Sequence, residues 1–214
     1  MQSRIALAGY EACHDLSACI LAAKLESVDK ARVLVAGAGG NAQEVSSIAK
    51  LRPEWKFTAV DPSAAMLDLA KERIAELGVT LSVDVVHGYV DDLPREPTFD
   101  AATLLGVLHH VSKTQDKLRL LRSIADRLKT GAPLILACNC QPYENQPLLL
   151  AAWRQRWLMA GTSESEADSK LAKILAGATP PASEEEVCAL LRELGFREIT
   201  RFFSSLFWVA WIAY

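Results

Sequence analysis

Two groups of residues in this 214-residue chain have the types and spacing to do chemistry. The run Val33-Leu34-Val35-Ala36-Gly37-Ala38-Gly39-Gly40-Asn41 carries an apolar strand into glycines, and Thr58-Ala59-Val60-Asp61 sets an acid twenty-four residues after Gly37. Glycines between a strand and a helix let the backbone approach a nucleotide, and an acid at the tip of the next strand can accept from two ribose hydroxyls. The pair predicts an adenosine-containing cofactor. Structural alternatives are a tight turn without a ligand at Gly37–Gly39 and a helix N-cap at Asp61, a role one carboxylate can combine with ribose binding. The second group is His109-His110, imidazoles with an ordinary pKa of about 6.5 that suit general-base work.

Such groups need strand ends that converge on one edge. The apolar positions Cys13, Leu16, Cys19, Ile20 and Ala23 predict a helix over residues 11–27. Strands are expected at Arg32–Ala36, Lys56–Val60, Leu81–His87, Asp100–Leu105 and Leu134–Cys138. Helices are expected at Ala42–Leu51, from Asp61-Pro62-Ser63 through Leu77 with Met66, Leu67, Leu69, Ala70 and Ile74 as the apolar face, and at Gln115–Leu128. Five strands interleaved with four helices demand a doubly wound α/β sheet, mostly parallel. Pro147–Met159 and Glu164–Leu175 then read as two helices with no strand between them, the candidate helical lid within residues 143–178. Ser183-Glu184-Glu185-Glu186 reads as a capping box opening a further helix that ends at Gly195-Phe196. Arg197–Phe203 and Leu206–Ala213, separated by Ser204-Ser205, should close a seven-stranded sheet as an antiparallel hairpin.

Composition narrows the class. Half the residues are hydrophobic, enough for one sizeable core, so residues 1–214 are expected to form a single domain. The net charge of −3 and the lack of a dense Lys/Arg block argue against a dedicated nucleic-acid surface, though not against a tRNA. The N-terminus lacks a secretory pattern, so the cytoplasm is the expected compartment. The longest apolar-rich run, residues 206–214, falls far short of the ~20 residues of a membrane helix and reads as a buried strand. Five cysteines, at 13, 19, 138, 140 and 188, lack paired zinc-like spacing and read as reduced thiols, with no metal expected. Cys138-Asn139-Cys140 would put two thiols on one strand face, either as ordinary core or as a metal or redox site.

Five stretches in order carry a resemblance. Val33–Asn41, the run Val60-Asp61-Pro62-Ser63-Ala64-Ala65-Met66-Leu67, the loop from His87 to Pro94, the strand and turn from Phe99 to His110, and Leu128–Ile135 are similar to the motifs of class I S-adenosylmethionine-dependent methyltransferases. The resemblance implies a Rossmann-like methyltransferase fold, S-adenosylmethionine as cofactor, direct in-line methyl transfer to a small molecule, and admits a homodimer. Three stretches, Gly9-Tyr10, the 147–175 insertion, and Gly195-Phe196 with Phe202–Phe207, resemble the branch that includes tRNA wobble-uridine carboxymethyl-transferring enzymes. That branch grips a carboxylated cofactor with an arginine, where this chain has Leu171 beside Lys170. A leucine cannot pair a carboxylate, so ordinary S-adenosylmethionine is favoured, with the carboxylated form left open.

The resemblance further implies site roles. Gly37, Ala38 and Gly39 would approach the methionine half of the cofactor, Asp61 the ribose, and Pro62 and Met66 the adenine face, with Met66 alternatively core. Tyr89 and Val90 fall in the adenine loop, Tyr89 where the family usually has Asp. Leu105 would offer its carbonyl to the methionine ammonium, and Tyr10 would close over the sulfonium, or simply pack its helix. His109 and His110 are the general-base candidates. Val35 stands in place of the usual acid and Asn41 in place of the third glycine, and these departures with Tyr89 also fit a cofactor-binding protein without turnover. Trp153 and Trp157 share one helix face that walls a pocket or fills core. Arg154 and Arg156 would bind an acidic substrate group or lie solvated.

Overall fold

The computed structural model describes residues 6–39, 41–79 and 82–214. Gly40, within the glycine run, and Leu81, the expected start of the third strand, lie outside them. Seven strands form one sheet: β1 (Arg32–Ala36), β2 (Lys56–Asp61), β3 (Val83–His87), β4 (Ala101–Leu105), β5 (Leu134–Asn139), β6 (Ile199–Ser205) and β7 (Trp208–Ala213). Their order is β3-β2-β1-β4-β5-β7-β6. The first five run parallel, and β7 lies antiparallel between β5 and β6. This is the doubly wound, Rossmann-like sheet with a terminal antiparallel hairpin that the alternation predicts. The chain winds outward from β1 to β3, then reverses through β4, so the loops after β1 and β4 diverge and open a crevice at the carboxyl edge.

Alternation within strands splits the core in two. Val33 and Val35 face one side with Trp55, Phe57 and Ile135, while Leu34 and Ala36 face the other with Leu104, Leu136 and Trp211. Helices α1 (Tyr10–Lys24), α2 (Gln43–Leu51) and α3 (Ala64–Glu76) cover the first side. Helices α4 (Thr114–Ala125) and α7 (Glu184–Glu193) cover the second. Between β5 and α7 stand α5 (Pro147–Met159) and α6 (Glu164–Gly177), joined by the bidentate pair of Arg154 with Asp168. No helix among the described residues is long and apolar enough to cross a membrane.

Several expectations need correction. The hairpin turns at Leu206-Phe207, with Leu206 at φ 52°, and Ser204 and Ser205 belong to β6. Met66 and Leu69 are 46% and 52% exposed, because α3 covers the edge of the sheet and buries only Leu67, Ala70 and Ile74. On α1 the buried face is Tyr10, Cys13, His14, Ser17, Ala18, Leu21 and Ala22, whereas Leu16 and Cys19 are exposed. His14 and Ser17 are tolerated inside because each bonds a carbonyl one turn back, Tyr10 O at 2.8 Å and Cys13 O at 2.7 Å. Ser183 caps α7 by accepting from the Glu186 amide, but the Glu186 carboxylate accepts from Ala182, so the reciprocal bond of a capping box is displaced by one residue. Ser163 and Glu166 form the full box at the start of α6.

Candidate functional site

The glycine turn after β1 is forced open by its neighbours. Gly37 sits at φ 70°, and a Cβ there would lie 2.3 Å from Val107 Cγ2, so only glycine fits between β1 and the loop after β4. Gly39, at φ 57°, would place a Cβ within reach of nothing but the Gly37 oxygen at 4.0 Å. The space above it is open.

Asp61 ends β2 facing that space. Its Oδ2 accepts the Gly39 amide at 3.0 Å, and its Oδ1 accepts the Ser63 amide at 2.8 Å. Ser63, and not Asp61, caps α3, with its hydroxyl accepting from the Met66 amide. The Asp61 carboxylate is thus locked by two backbone donors while each oxygen keeps lone-pair capacity for hydroxyls. It ties the glycine turn to the tip of β2.

Two cavities adjoin at Gly37 and Val107. The larger, of about 610 Å³, is lined by Tyr10, Gly37, Ala38, Gly39, Asp61, Met66, Leu105, His109 and His110 among the expected residues. The smaller, of about 440 Å³, is lined by Gly37, Pro62, Gly88, Tyr89, Val90 and Asp91. Met66, expected beside the adenine-loop residues, therefore lies in the larger cavity, with Asp61, and its exposure removes the core alternative. The Tyr89 loop is held by Asp92, whose Oδ2 accepts the Tyr89 amide at 2.8 Å and occupies the place a Gly88 side chain would need. Buried Arg127 secures the same loop by donating to the carbonyls of Asp91 and Leu93. The Tyr89 side chain is 67% exposed.

The two histidines differ in what their nitrogens can do. His109, buried, accepts the Asn139 amide on Nδ1 at 3.2 Å, which makes its neutral form the Nε2–H tautomer. Burial, and then the charges of His110 and Lys117, push its pKa down to about 3. It is a permanent donor whose one lone pair is spent. His110 is exposed and shares Nδ1 with the Gly177 carbonyl at 3.1 Å, so Nδ1 carries the proton and Nε2 has the free lone pair. Only His110 is set to receive a proton.

Opposite the glycine turn the larger cavity is walled by Leu7, Trp153, Ile174, Ala178 and Trp208. Trp153 donates to Ala6 O at 2.7 Å and packs on Tyr143 and Phe207. Trp157, on the same helix face, is buried and does not line this cavity. Arg154 is held by Asp168 and Glu164. Leu171 packs against the Tyr143–Trp153–Phe207 cluster, and the Lys170 ammonium stands over the Trp157 ring. Cys138 and Cys140 are buried core residues, and burial raises both thiols, Cys140 to about 12, which keeps them neutral. Sequence reasoning missed five cavity-lining polar residues, His14, Gln43, Glu44, Asn139 and Lys173, because the cavity is assembled by packing between elements distant in the chain. The Asn139 side-chain Nδ2 donates to Tyr143 Oη at 2.7 Å, and its buried Oδ1 has no partner among the described residues.

Residues 35–134 match the family model described as a methyltransferase domain. The mitochondrial ubiquinone biosynthesis O-methyltransferase of Schizosaccharomyces pombe is 32% identical over 108 residues, covering 50% of this chain and 37% of that protein. Among solved structures, a putative O-methyltransferase of Nostoc punctiforme superposes with a TM-score of 0.67 at 18% identity, over 94% of this chain and 55% of that one. An O-methyltransferase family 2 protein of Planctomyces limnophilus in complex with apigenin gives 0.63 at 17%, over 86% and 49%. At these identities the likeness is one of fold. The chain spans 24% to 38% of the length of the relatives it matches in sequence.

Proposed function

Taking as premise the methyltransferase domain that residues 35–134 match, we propose that this chain is a methyltransferase acting by direct in-line displacement on an oxygen or nitrogen of a small, largely apolar molecule. S-adenosylmethionine is the cofactor of that domain, and it supplies a methyl group on a sulfonium already activated for displacement. The residues present suit it. The open space above Gly39 and the preset Asp61 carboxylate form a cradle for a nucleoside, and the adjoining smaller cavity offers Pro62, Tyr89 and Val90 to a flat base. Asp91, two residues beyond Tyr89, also lines that cavity, with its Oδ1 accepting from the Ser123 hydroxyl. Gly37, Ala38, Gly39 and the Leu105 carbonyl would hold the amino-acid end, and Tyr10 and Met66 would border it.

One observation carries the reading: the glycine turn, Asp61 and His110, whose Nδ1–H is held by the Gly177 carbonyl, all line one cavity with an aromatic wall. His110 would take the proton of the attacking group. His109 would donate Nε2–H to an acceptor atom, and the unpartnered Asn139 Oδ1 would take a donor. Trp153, Trp208, Ile174 and Leu7 would exclude water and align a flat molecule, which is most of what an activated methyl requires. The carboxylated cofactor of the wobble-uridine branch is disfavoured, because Leu171 packs in an apolar cluster and Lys170 is turned onto Trp157.

The test is incubation of the full chain with S-adenosylmethionine and a panel of small phenols and amines, following S-adenosylhomocysteine by mass spectrometry. Turnover is expected, and His110→Ala should lower it roughly 10²–10⁴-fold with cofactor binding unchanged. Cofactor binding with no turnover on any acceptor would favour a binding protein instead.

A further inference from the structure

Resting on the reading above, we propose that Glu44 is the carboxylate that receives the α-ammonium group of the cofactor's amino-acid end. Glu44 stands in the first turn of α2, directly after the glycine turn, and lines the larger cavity together with Gly37, Gly39 and Asp61. It is 7% exposed. A carboxyl so buried must be neutral, paired, or shaped to meet a cation.

Among the described residues, its surroundings leave the pairing incomplete. From α1, His14 brings Nε2 to 3.9 Å of Glu44 Oε2, too far for a hydrogen bond, while its Nδ1–H is spent on Tyr10 O. Cys13, also on α1, is a neutral thiol pushed up to about 12 by burial and by Glu44 itself. Asp61, the exposed Lys173 of α6 and Tyr10, which is stacked on His14, line the same cavity. The neighbouring strand β1 offers no charge: Val33 and Val35 are fully buried apolar residues. Burial raises the Glu44 carboxyl, against the opposing influences of His14 and of a hydrogen bond from the Glu44 backbone amide, so the acid leans toward its neutral form when no cation faces it. An arriving ammonium brings both charge and three donors, which favours the ionised form. Val35 leaves the glycine motif without its acid, and Glu44 supplies one from the next helix.

The experiment is calorimetric titration of the full chain, wild type and Glu44→Gln, with S-adenosylhomocysteine and with its analogue in which hydrogen replaces the α-amino group. Gln matches the neutral acid in shape. Glu44→Gln should bind S-adenosylhomocysteine about tenfold more weakly, a loss typical of one charged contact, and bind the analogue as the wild type does. In the wild type alone, the preference for S-adenosylhomocysteine over the analogue should shrink as pH falls through the raised carboxyl range. Equal weakening of both ligands by the substitution, or a wild-type preference independent of pH, would overturn the assignment while leaving the methyltransferase reading intact. Failure of the wild type to bind either ligand would overturn both.

Discussion

The burial of His109 should make this protein measurably acid-labile. Its pKa is pushed down to about 3 by burial first and then by His110 and Lys117, and its Nδ1 is occupied by the Asn139 backbone amide. In the unfolded chain the same imidazole titrates near about 6.5. Between those values the unfolded state binds the proton and the folded state refuses it. The stability this site confers is therefore complete above about pH 6.5 and lost progressively as pH falls toward about 3. At about pH 5 the unfolded chain has gained about 1.5 pKa units of protonation free energy, or about 2 kcal/mol. That is a sizeable share of the roughly 5–15 kcal/mol by which domains are stable.

Urea unfolding at about pH 8 and about pH 5 reads this directly. His109→Gln keeps an oxygen that can accept the Asn139 amide and removes the titration. The wild type should lose about 2 kcal/mol more than the variant between the two pH values. Equal losses would refute the reasoning, since they would mean that the His109 imidazole protonates in the fold as easily as outside it. The same neutrality has a functional side: no limb of a pH–rate profile near neutrality can belong to His109.

Two further substitutions probe the frame around the cavities. Gly37→Ala should cost about 3 kcal/mol in thermal or urea unfolding, from the positive φ and the 2.3 Å approach to Val107, and Val107→Ala in the same chain should recover the steric part, leaving about 1 kcal/mol. Arg127→Met should cost about 2–4 kcal/mol and lower Tm by roughly 6–12 °C, because the guanidinium serves the carbonyls of Ser123, Asp91 and Leu93, and calorimetry should show weaker nucleoside binding once the Tyr89 loop is released.

What the sequence made legible is what local rules govern. Glycines, prolines and apolar runs mark where strands begin and end, and β1 and α5 fall on their expected residues because such punctuation bounds both sides. Faces were harder. On α1 two polar residues are buried because carbonyls one turn back satisfy them, which an apolar period cannot register. On α3 two large apolar residues are exposed because a helix at the sheet's edge buries a narrow stripe. The site divides the same way. Gly37, Gly39 and Asp61 could be read from spacing, since strand ends fix their distance. The histidines could be read only as a pair: what separates them is a carbonyl sixty-seven residues after His110 and an amide thirty residues after His109. Glu44 carried no signal, since an acid in a first helical turn is ordinary at the surface and becomes a site residue only because α1 packs over it.

The inserted helices bear on the chemistry as well as on the walls. The last carbonyls of a helix lack intrahelical donors, and Gly177, the final residue of α6, takes its donor from His110 Nδ1. Two residues later the Thr179 amide donates to His109 O at 2.7 Å, and the Gln141 amide to Pro181 O at 2.8 Å. The end of α6 is thus strapped to the turn that carries both histidines. One bond caps the helix and also selects the His110 tautomer that leaves a lone pair on Nε2. With α6 docked, His110 has both its orientation and its lone pair. With the helix end withdrawn, Nδ1 loses its acceptor, either nitrogen can carry the proton, and the ring is free to turn. Under the proposed function, enclosure of the acceptor by Ile174 and Ala178 and base competence at His110 would depend on the same docking.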